Sequence, residues 1–295
     1  MSGEGDMPNN AVPSSIPLIN SIFGGYAYSE LTAIYGVPMA GKSLLLLQEA
    51  YYCLSQGYRV VWIDTEGGIS RMHEAWADKF RSRFRVPNRK HIDFITIRSP
   101  IRFLRFLTGY DVQIEYGKKT GLTIKGRLKK KDNDLLSKHV RDNTLIIIDS
   151  FTQPFRLGFS SDSQNLPARA SAMAFALSGL YDIMDSHSNT AAITTVHASL
   201  NPTNPYERAN PHGGNTILYN AKAVMLLDIP KSKKLSDFRR LIAVRTPYAK
   251  SWTKLFWLQI QSDGYHQVDP SKIQEITGYE VVGESVPEEA VPNAD

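Results

Sequence analysis

The segment Gly36–Ser43 constrains the fold more than any other part of the chain. Its sequence is Gly-Val-Pro-Met-Ala-Gly-Lys-Ser; it follows the apolar run Leu31–Tyr35 and precedes a helix-forming stretch that ends before Gly57. Glycines let the backbone curl so that successive N–H groups point at an anion, and the start of a helix adds a positive dipole end. A strand, this loop and a helix in this order predict a phosphate-binding loop.

The loop predicts ATP and Mg²⁺ as the cofactors. In such loops the lysine reaches the β- and γ-phosphates and the hydroxyl after it ligates Mg²⁺. These roles fall on Lys42 and Ser43. The full set of predicted nucleotide-binding residues is Gly36, Val37, Pro38, Met39, Ala40, Gly41, Lys42, Ser43 and Leu44.

Two carboxylates are candidates for the metal and for the attacking water. Asp149 ends the apolar run Leu145–Ile148, which predicts a strand buried on both faces and places this aspartate at the carboxyl edge of the sheet. We expect Asp149 to ligate Mg²⁺ together with Ser43. Glu66 follows the strand Arg59–Ile63 and is the candidate general base, with a solvated loop carboxylate as the alternative.

Strand and helix patterns alternate along most of the chain, which predicts an α/β fold with a mostly parallel, twisted sheet flanked by helices. Late strand-like runs with Pro and Gly breaks predict antiparallel strands at one edge. They are Arg240–Val244, Thr253–Ile260 and Tyr265–Val268. One segment does not fit the alternation: residues 110–131 predict an inserted β-hairpin that projects from the core.

Basic residues are concentrated in one part of the chain. The whole chain carries a net charge of +5, but Lys79–Lys131 holds 16 of the 34 Lys and Arg and only 3 of the 29 Asp and Glu. This asymmetry favours a polyanion partner, most simply DNA, over a merely solvated basic face. The predicted DNA-binding residues of the hairpin are Lys118, Lys119, Lys125, Arg127, Lys129, Lys130 and Lys131.

The composition of the two ends predicts the limits of the domain, and the single cysteine excludes two kinds of site. We expect a disordered tail over residues 1–15, one domain over 16–279 and an acidic tail over 280–295. Cys53 excludes an internal disulfide and a cysteine-based zinc site. No apolar run reaches the length of a membrane helix, and no secretory signal is evident, so we expect a cytoplasmic protein without a membrane partner.

Several further segments are similar to one protein superfamily. They are Phe23–Gly25 with Leu31–Gly36, then Trp62–Gly67, Ile147–Ser150, Thr194–His197 and Pro211–Asn215. In this order the chain, from about Ile22 to about Val268, resembles the RecA/RadA recombinases, and specifically the short archaeal RadA paralogues of the RadB or RadC type. The resemblance implies a RecA-type P-loop NTPase core, a catalytic role for Glu66, and a γ-phosphate sensor at His197.

The resemblance also implies contacts with DNA and with a neighbouring subunit. Gly213 and Gly214 match the stretch that ends the second DNA-binding loop, and we expect loops at 152–167 and 198–214 to hold DNA. Phe155 and Phe159 either stack on bases or fold back on the core. Relatives offer residues to the ATP of a neighbour at positions that match Arg245, Pro247 and Lys250, with an incidental turn as the alternative.

The departures from the family keep several functions open. We expect the N-terminal DNA-binding domain to be absent, a histidine stands where the sensor is usually glutamine, and no Phe-x-x-Ala segment is convincing. The first hypothesis is a DNA-dependent ATPase that binds DNA, more readily single-stranded, and assists recombination or repair as a homo-oligomer. The alternatives are an ATP-binding mediator that acts on a RadA-type recombinase, and a RecA-core helicase or regulatory ATPase.

Overall fold

A single ten-stranded sheet forms the centre of the protein. The computed structural model describes residues 10–115, 121–128, 135–159, 165–199, 210–211, 214–246 and 254–278. The strands of this sheet are β3 (Leu31–Gly36), β4 (Arg59–Asp64), β5 (Ile92–Thr96), β8 (Thr144–Asp149), β9 (Ala191–Ser199), β10 (Asn210–Pro211), β11 (Ala223–Asp228), β12 (Phe238–Arg245), β13 (Lys254–Gln261) and β14 (Gly264–Val268). Their spatial order is β14-β13-β12-β11-β3-β9-β8-β4-β5, with β10 paired to β9.

The six strands from β11 to β5 run parallel, and β12, β13 and β14 add an antiparallel edge. Alternate residues of each inner strand face opposite layers: in β8, Ile146 and Ile148 join one core cluster, whereas Leu145 and Ile147 join the other. Both faces are therefore covered, as the continuous apolar run predicted. The predicted α/β class, with its parallel sheet and antiparallel edge, is confirmed.

Helices cover both faces of the sheet. One layer contains α1 (Pro17–Phe23), α2 (Lys42–Ser55) and α3 (Ile69–Phe84); the other contains α4 (Pro100–Thr108), α5 (Gln153–Gly158), α6 (Leu166–Asp185) and α7 (Gly214–Asn220); α8 (Pro270–Thr277) closes the described part of the chain. In the described part of the chain, no helix is both long enough and apolar enough to span a membrane.

Helix α4 was not predicted, although its sequence carries the signals. Ser99 is its N-cap and accepts a hydrogen bond from the Arg102 N–H, and Pro100 occupies the first turn. Its buried residues Phe103, Leu104, Phe106 and Leu107 recur with helical spacing. The neighbouring β-like segments obscured this short helix, because a nine-residue apolar pattern is ambiguous by itself.

The predicted hairpin exists, but it does not project from the core. Strands β6 (Tyr110–Glu115) and β7 (Gly121–Arg127) pair antiparallel and form a separate two-stranded sheet. Val112 and Ile114 are buried, and Leu122 is partly buried against the cluster that α4 and α6 contribute to. The prediction was wrong for the two described strands because Val112, Ile114 and Leu122 give the hairpin an apolar face that packs on the core.

The predicted boundary of the N-terminal tail was also wrong. Residues 10–15 were predicted to belong to a disordered tail, but β1 (Ala11–Val12) pairs with β2 (Tyr26–Ala27). Val12 is buried, and Ser15 donates from its N–H (3.0 Å) and its hydroxyl (2.5 Å) to the buried carboxylate of Glu49 on α2. These contacts fasten the segment to the core. Residues 1–9 and 279–295 lie outside the described residues.

Candidate functional site

The loop between β3 and α2 has a backbone that only a few residue types tolerate. Gly41 has φ +94° and Met39 has φ +64°. A Cβ on Gly36 would lie 2.3 Å from the Leu227 carbonyl oxygen, so a side chain cannot be placed there without moving β11. The loop therefore runs directly against the sheet, and its polar atoms are held at the carboxyl edge of β3.

Lys42 is the first residue of α2 and lies over the loop. Its Nζ donates to the carbonyl oxygens of Gly36 (2.9 Å) and Val37 (3.0 Å). Burial lowers the pKa of Lys42, while the nearby charges of Asp149 and Glu66 oppose that shift. The ammonium thus lies within electrostatic reach of both carboxylates that the sequence singled out.

Asp149 ends β8 at the same edge, as predicted. The Thr195 hydroxyl donates to its Oδ1, and the Ser43 hydroxyl lies near enough to influence its pKa. Burial raises the pKa of Asp149 to about 6, and the two hydroxyls partly offset that rise. The two predicted metal ligands, Ser43 and Asp149, therefore lie near each other.

Glu66 and His197 are brought together although 131 positions separate them in the sequence. Glu66 follows β4, His197 lies in β9, and His197 Nε2 is 2.6 Å from Glu66 Oε1. The hydrogen bond from His197 lowers the pKa of Glu66, helped by Ser150 and Lys42 and opposed by partial burial. The candidate base is thus a carboxylate at neutral pH.

The turn that carries Glu66 is held by Asp64. The Oδ1 atom of this buried aspartate accepts from the backbone N–H groups of Glu66 (3.0 Å) and Gly67 (2.7 Å). Thr65, which lies between Asp64 and Glu66 in the sequence, is hydrogen-bonded to Ser150, the residue after Asp149. Sequence reasoning missed these supporting residues. The role of Thr65 depends on β4 and β8 being neighbours, whereas the Asp64 turn is local and an aspartate two residues before Glu66 could have indicated it.

A second set of supporting residues comes from the antiparallel edge. Tyr265 in β14 donates its hydroxyl to the carbonyl oxygens of Ala40 and Gly41, both at 3.3 Å. Arg239 in β12 donates from Nε to Ala40 at 2.9 Å. Both were missed as well, and no local pattern could have identified them, since about 200 residues separate them from the loop.

ATP and Mg²⁺ fit the residues at this edge. Ser43 and Asp149 offer the hard oxygen ligands that Mg²⁺ takes, and they lie near each other. The buried ammonium of Lys42 supplies positive charge beside the start of α2, where the dipole also favours an anion. The Gly36–Ser43 loop and Leu44, which follows in the first turn of α2, are the residues that would hold the nucleotide.

The predicted contacts to a neighbour's nucleotide are only partly described. Arg245 is the last residue of β12 and is half-buried. Pro247 and Lys250 lie outside the described residues.

The predicted DNA-binding residues are also only partly described. Lys125 and Arg127 are exposed on β7, and Arg127 Nε donates to the Tyr110 hydroxyl at 2.9 Å. Gly214 is the first residue of α7. The remaining predicted residues lie outside the described part of the chain: Lys118, Lys119, Lys129, Lys130, Lys131 and Gly213.

Some of the basic residues between Lys79 and Lys131 serve the fold instead of an exposed surface. Arg83 donates to the carbonyl oxygens of Asp263 (3.0 Å) and Tyr265 (2.9 Å), and Lys90 donates to that of Leu54 (2.9 Å). Arg105 forms an ion pair with Asp111. The basic surface is therefore smaller than the charge count indicated.

Phe155 and Phe159 fold back on the core. Both are buried, and the Phe155 ring packs edge-on against Phe103 and tilted against Phe151 and Phe159. The alternative in which these rings stack on bases is thus wrong for this arrangement. The segment Gln153–Gly158 is the helix α5, not an open loop, and its one aromatic ring, Phe155, packs against Phe103 of α4.

The chain is similar in sequence to two archaeal proteins of the same name. No protein-family model matches the chain. It is 40% identical over 62 residues to the DNA repair and recombination protein RadB of Methanobrevibacter smithii, a match that spans 21% of this chain and only 26% of that relative. It is 23% identical over 225 residues to the protein of the same name from Methanothermobacter thermautotrophicus, covering 75% of this chain and 82% of that relative.

A solved structure shares the fold. The crystal structure of the RadB recombinase superposes with a TM-score of 0.61 at 20% identity, covering 88% of this chain and 100% of that one. The similarity to two archaeal RadB sequences and the shared fold confirm the resemblance to the RecA/RadA superfamily. They also confirm the RecA-type core that the sequence motifs implied.

Proposed function

We propose that this protein is a DNA-dependent ATPase that binds ATP and Mg²⁺ and assists homologous recombination or DNA repair. One observation carries the proposal: Lys42, Asp149 and Glu66, from three separate elements, lie within electrostatic reach of one another at a single edge of the sheet. A phosphate-binding loop, a pair of metal ligands and a carboxylate base are the parts that phosphoryl transfer to water requires.

Each group has a role in the proposed reaction. Lys42 neutralises charge on the terminal phosphates, and Ser43 and Asp149 hold Mg²⁺. When bound, Mg²⁺ supplies further charge neutralisation on the phosphate oxygens. Glu66, whose pKa is lowered, orients the attacking water and accepts its proton, and His197 donates a hydrogen bond at the same edge.

The proposed partner is DNA, more readily single-stranded, in the cytoplasm and associated with the nucleoid. Exposed Lys125 and Arg127 on β7 support a contact with the phosphate backbone, and so do the names of the relatives. Such contacts are weakly sequence-specific and sensitive to salt. We also propose a homo-oligomer in which Arg245, Pro247 and Lys250 reach the ATP of a neighbour, and a RadA-type recombinase as the protein partner.

The first experiment measures ATP hydrolysis with and without single-stranded DNA at two salt concentrations. We expect DNA to raise the rate and high salt to remove the increase. A slow rate that ignores DNA would overturn the DNA-dependent ATPase and favour the mediator that acts through protein contacts. Unwinding of a forked duplex would identify a helicase instead.

Three variants assign the activity to the site. Lys42→Ala should abolish turnover, and Glu66→Gln should keep ATP binding but lose about a hundredfold or more in turnover, as loss of a general base does. Lys272→Ala is the matched control, because this exposed lysine on α8 contacts only Gln259 through its Nζ among the described residues. Normal hydrolysis in Glu66→Gln would place the base elsewhere.

A further inference from the structure

The N-terminal segment, residues 11–15, is connected to α2 through the hydroxyl of Ser15. Ser15 is half-buried, and its hydroxyl donates to the buried carboxylate of Glu49 at 2.5 Å. The same oxygen accepts a hydrogen bond from Gln48 Nε2 at 2.8 Å. Because a hydroxyl has one hydrogen, and that hydrogen is directed at Glu49, it meets Gln48 only as an acceptor. One hydroxyl thus joins the N-terminal segment to two successive residues of α2.

Gln48 continues this connection to β14. Its side chain is completely buried; Oε1 accepts from the Tyr265 N–H at 2.6 Å, and Nε2 donates to the Tyr265 carbonyl oxygen at 3.1 Å. Among the described strands, β14 pairs only with β13, so the Gln48 amide takes the place that a further strand would occupy beside Tyr265. Both N–H groups and the oxygen of this amide have partners, which fixes its orientation.

Tyr265 extends the connection to the phosphate-binding loop. Its hydroxyl donates to the carbonyl oxygens of Ala40 and Gly41, and it packs so closely on the loop that a Cβ at Gly41 would overlap it. The position of the Tyr265 backbone therefore sets where the hydroxyl meets the loop. Ser15, Gln48 and Tyr265 form a continuous hydrogen-bonded path from the N-terminal segment to the residues that precede Lys42.

The N-terminal segment is attached to the domain as a separate small unit. β1 and β2 form a two-stranded sheet of their own, with two residues in each strand. The remaining attachment comes from buried Val12 and from the hydrogen bonds of Ser14 and Ser15. Such a unit can open locally while the central sheet stays folded, because little of the core depends on it.

We propose that Ser15 and Gln48 are positioning residues of the nucleotide site, which couple docking of the N-terminal segment to nucleotide binding. This inference rests on the proposed function, since it concerns the same phosphate-binding loop. The docked segment orients Gln48, Gln48 holds the backbone of Tyr265, and Tyr265 holds the loop in its binding conformation. Coupling between two sites is reciprocal, so a bound nucleotide stabilises the docked segment by the factor by which docking raises nucleotide affinity.

Hydrogen exchange on the full chain tests the coupling without relying on turnover. The Ser15 N–H donates to Glu49 Oε2 at 3.0 Å, so its exchange rate reports on opening of the N-terminal segment. ADP with Mg²⁺ should slow this exchange several-fold. The control is the Leu128 N–H, which donates to the Gly109 carbonyl oxygen at 2.9 Å beside the hairpin of β6 and β7. Its exchange rate should not change.

A pair of serine variants gives a second measurement. Ser15→Ala should lower ADP affinity in calorimetry by about threefold to tenfold, as loss of one hydrogen bond does. It should raise the KM for ATP and leave kcat nearly unchanged, because the reacting groups keep their places. Ser55→Ala is the matched control, since that hydroxyl donates to the Tyr52 carbonyl oxygen within α2 at 2.6 Å. Equal ADP affinities of the two variants would contradict the role of Ser15.

The outcomes separate this inference from the proposed function. If ADP binds but slows the exchange of Ser15 and Leu128 equally, or slows neither, the coupling is overturned even if ATP is hydrolysed. Failure of both ADP and ATP to bind would overturn both proposals. If ADP protects Ser15 selectively but ATP is not hydrolysed, the coupling stands and the ATPase proposal fails. The exchange measurement uses the wild type, so it decides the matter even if Ser15→Ala does not fold.

Discussion

Thr65 and Ser150 are hydrogen-bonded to each other twice. The Thr65 hydroxyl donates to the Ser150 carbonyl oxygen at 2.7 Å and accepts from the Ser150 N–H at 2.9 Å. Thr65 precedes the candidate base Glu66, and Ser150 follows the candidate metal ligand Asp149. The buried hydroxyl of Thr65 therefore connects the segment that carries the candidate base to the segment that carries the candidate metal ligand.

Thr65→Val should destabilise the protein by about 1–3 kcal/mol, because it keeps the shape of the side chain but leaves the buried Ser150 N–H without its acceptor. Thr65→Ser is the matched control, since it keeps the hydroxyl. Urea unfolding of the two variants gives the comparison, and turnover should fall more than ADP affinity in the valine variant. Equal unfolding free energies of the two variants would mean that the Thr65 hydroxyl does not contribute to stability.

Tyr265→Phe should weaken nucleotide binding more than it weakens the fold. It removes the hydroxyl that donates to Ala40 and Gly41, but these carbonyl oxygens keep their other donors, Arg239 Nε and the Leu45 N–H. We therefore expect a loss of about 1 kcal/mol in unfolding free energy and a several-fold loss of ADP affinity, measured by calorimetry.

The control for this prediction is Tyr58→Phe. It removes a different hydroxyl hydrogen bond, to Tyr28 at 2.7 Å, that does not involve the loop. This variant should lose similar stability and no ADP affinity. The same loss of affinity in both variants would show that the contact with the loop is not what matters.

The raised pKa of Asp149, about 6, gives a pH dependence with a definite sign. The pKa of an aspartate in the unfolded chain is about 3.9, so between about pH 4 and pH 6 the folded state binds the extra proton. Without Mg²⁺, the unfolding free energy should therefore fall by about 1–3 kcal/mol as the pH rises through this window. Mg²⁺-dependent ADP affinity should rise over the same window, because only the carboxylate ligates the metal.

Asp149→Asn isolates this effect from the other buried carboxyl groups, such as Glu49, whose pKa is also raised by burial. Chemical unfolding with a chelator present measures the stability of the wild type and of Asp149→Asn. As the pH rises through the window, the unfolding free energy of the asparagine variant should increase relative to that of the wild type. A constant difference from pH 4 to pH 8 would contradict the assignment.

Lys125 and Arg127 should each contribute one contact to DNA phosphates. Lys125→Ala and Arg127→Ala should each lower the slope of log K against log salt by about one, and deletion of residues 117–131 should flatten it further. Fluorescence anisotropy with labelled single-stranded DNA measures the slope, with Lys272→Ala as the control. A slope unchanged in both point variants would show that β7 does not bind DNA.

Much of the site could be predicted from the sequence because its residues follow local patterns. The Gly36–Ser43 loop is a contiguous motif, and Asp149 directly follows an apolar strand. In a parallel sheet all strands end at the same edge, so chain direction alone places Glu66, Asp149 and the loop on one side of the sheet.

Other features could not be predicted, because they depend on which strands are neighbours and which faces pack. The contact between His197 and Glu66 requires β9 and β4 to flank β8, and the support of the loop by Tyr265 spans 225 residues. The burial of Phe155 and the inward bonds of Arg83 likewise depend on the elements packed above them. A short-range pattern carries no information about such partners.

The sequence by itself thus determined the fold class, the phosphate-binding loop and the edge of the sheet where the carboxylates lie, because backbone conformation and strand direction are set by residues close along the chain. Only the tertiary structure decided that His197 contacts Glu66, that Thr65 joins the base to the metal ligand, and that Arg83 and Lys90 bond to backbone carbonyl oxygens of distant segments. These relations arise from burial and hydrogen bonding between distant segments, and strand order is settled by the packing of the whole domain.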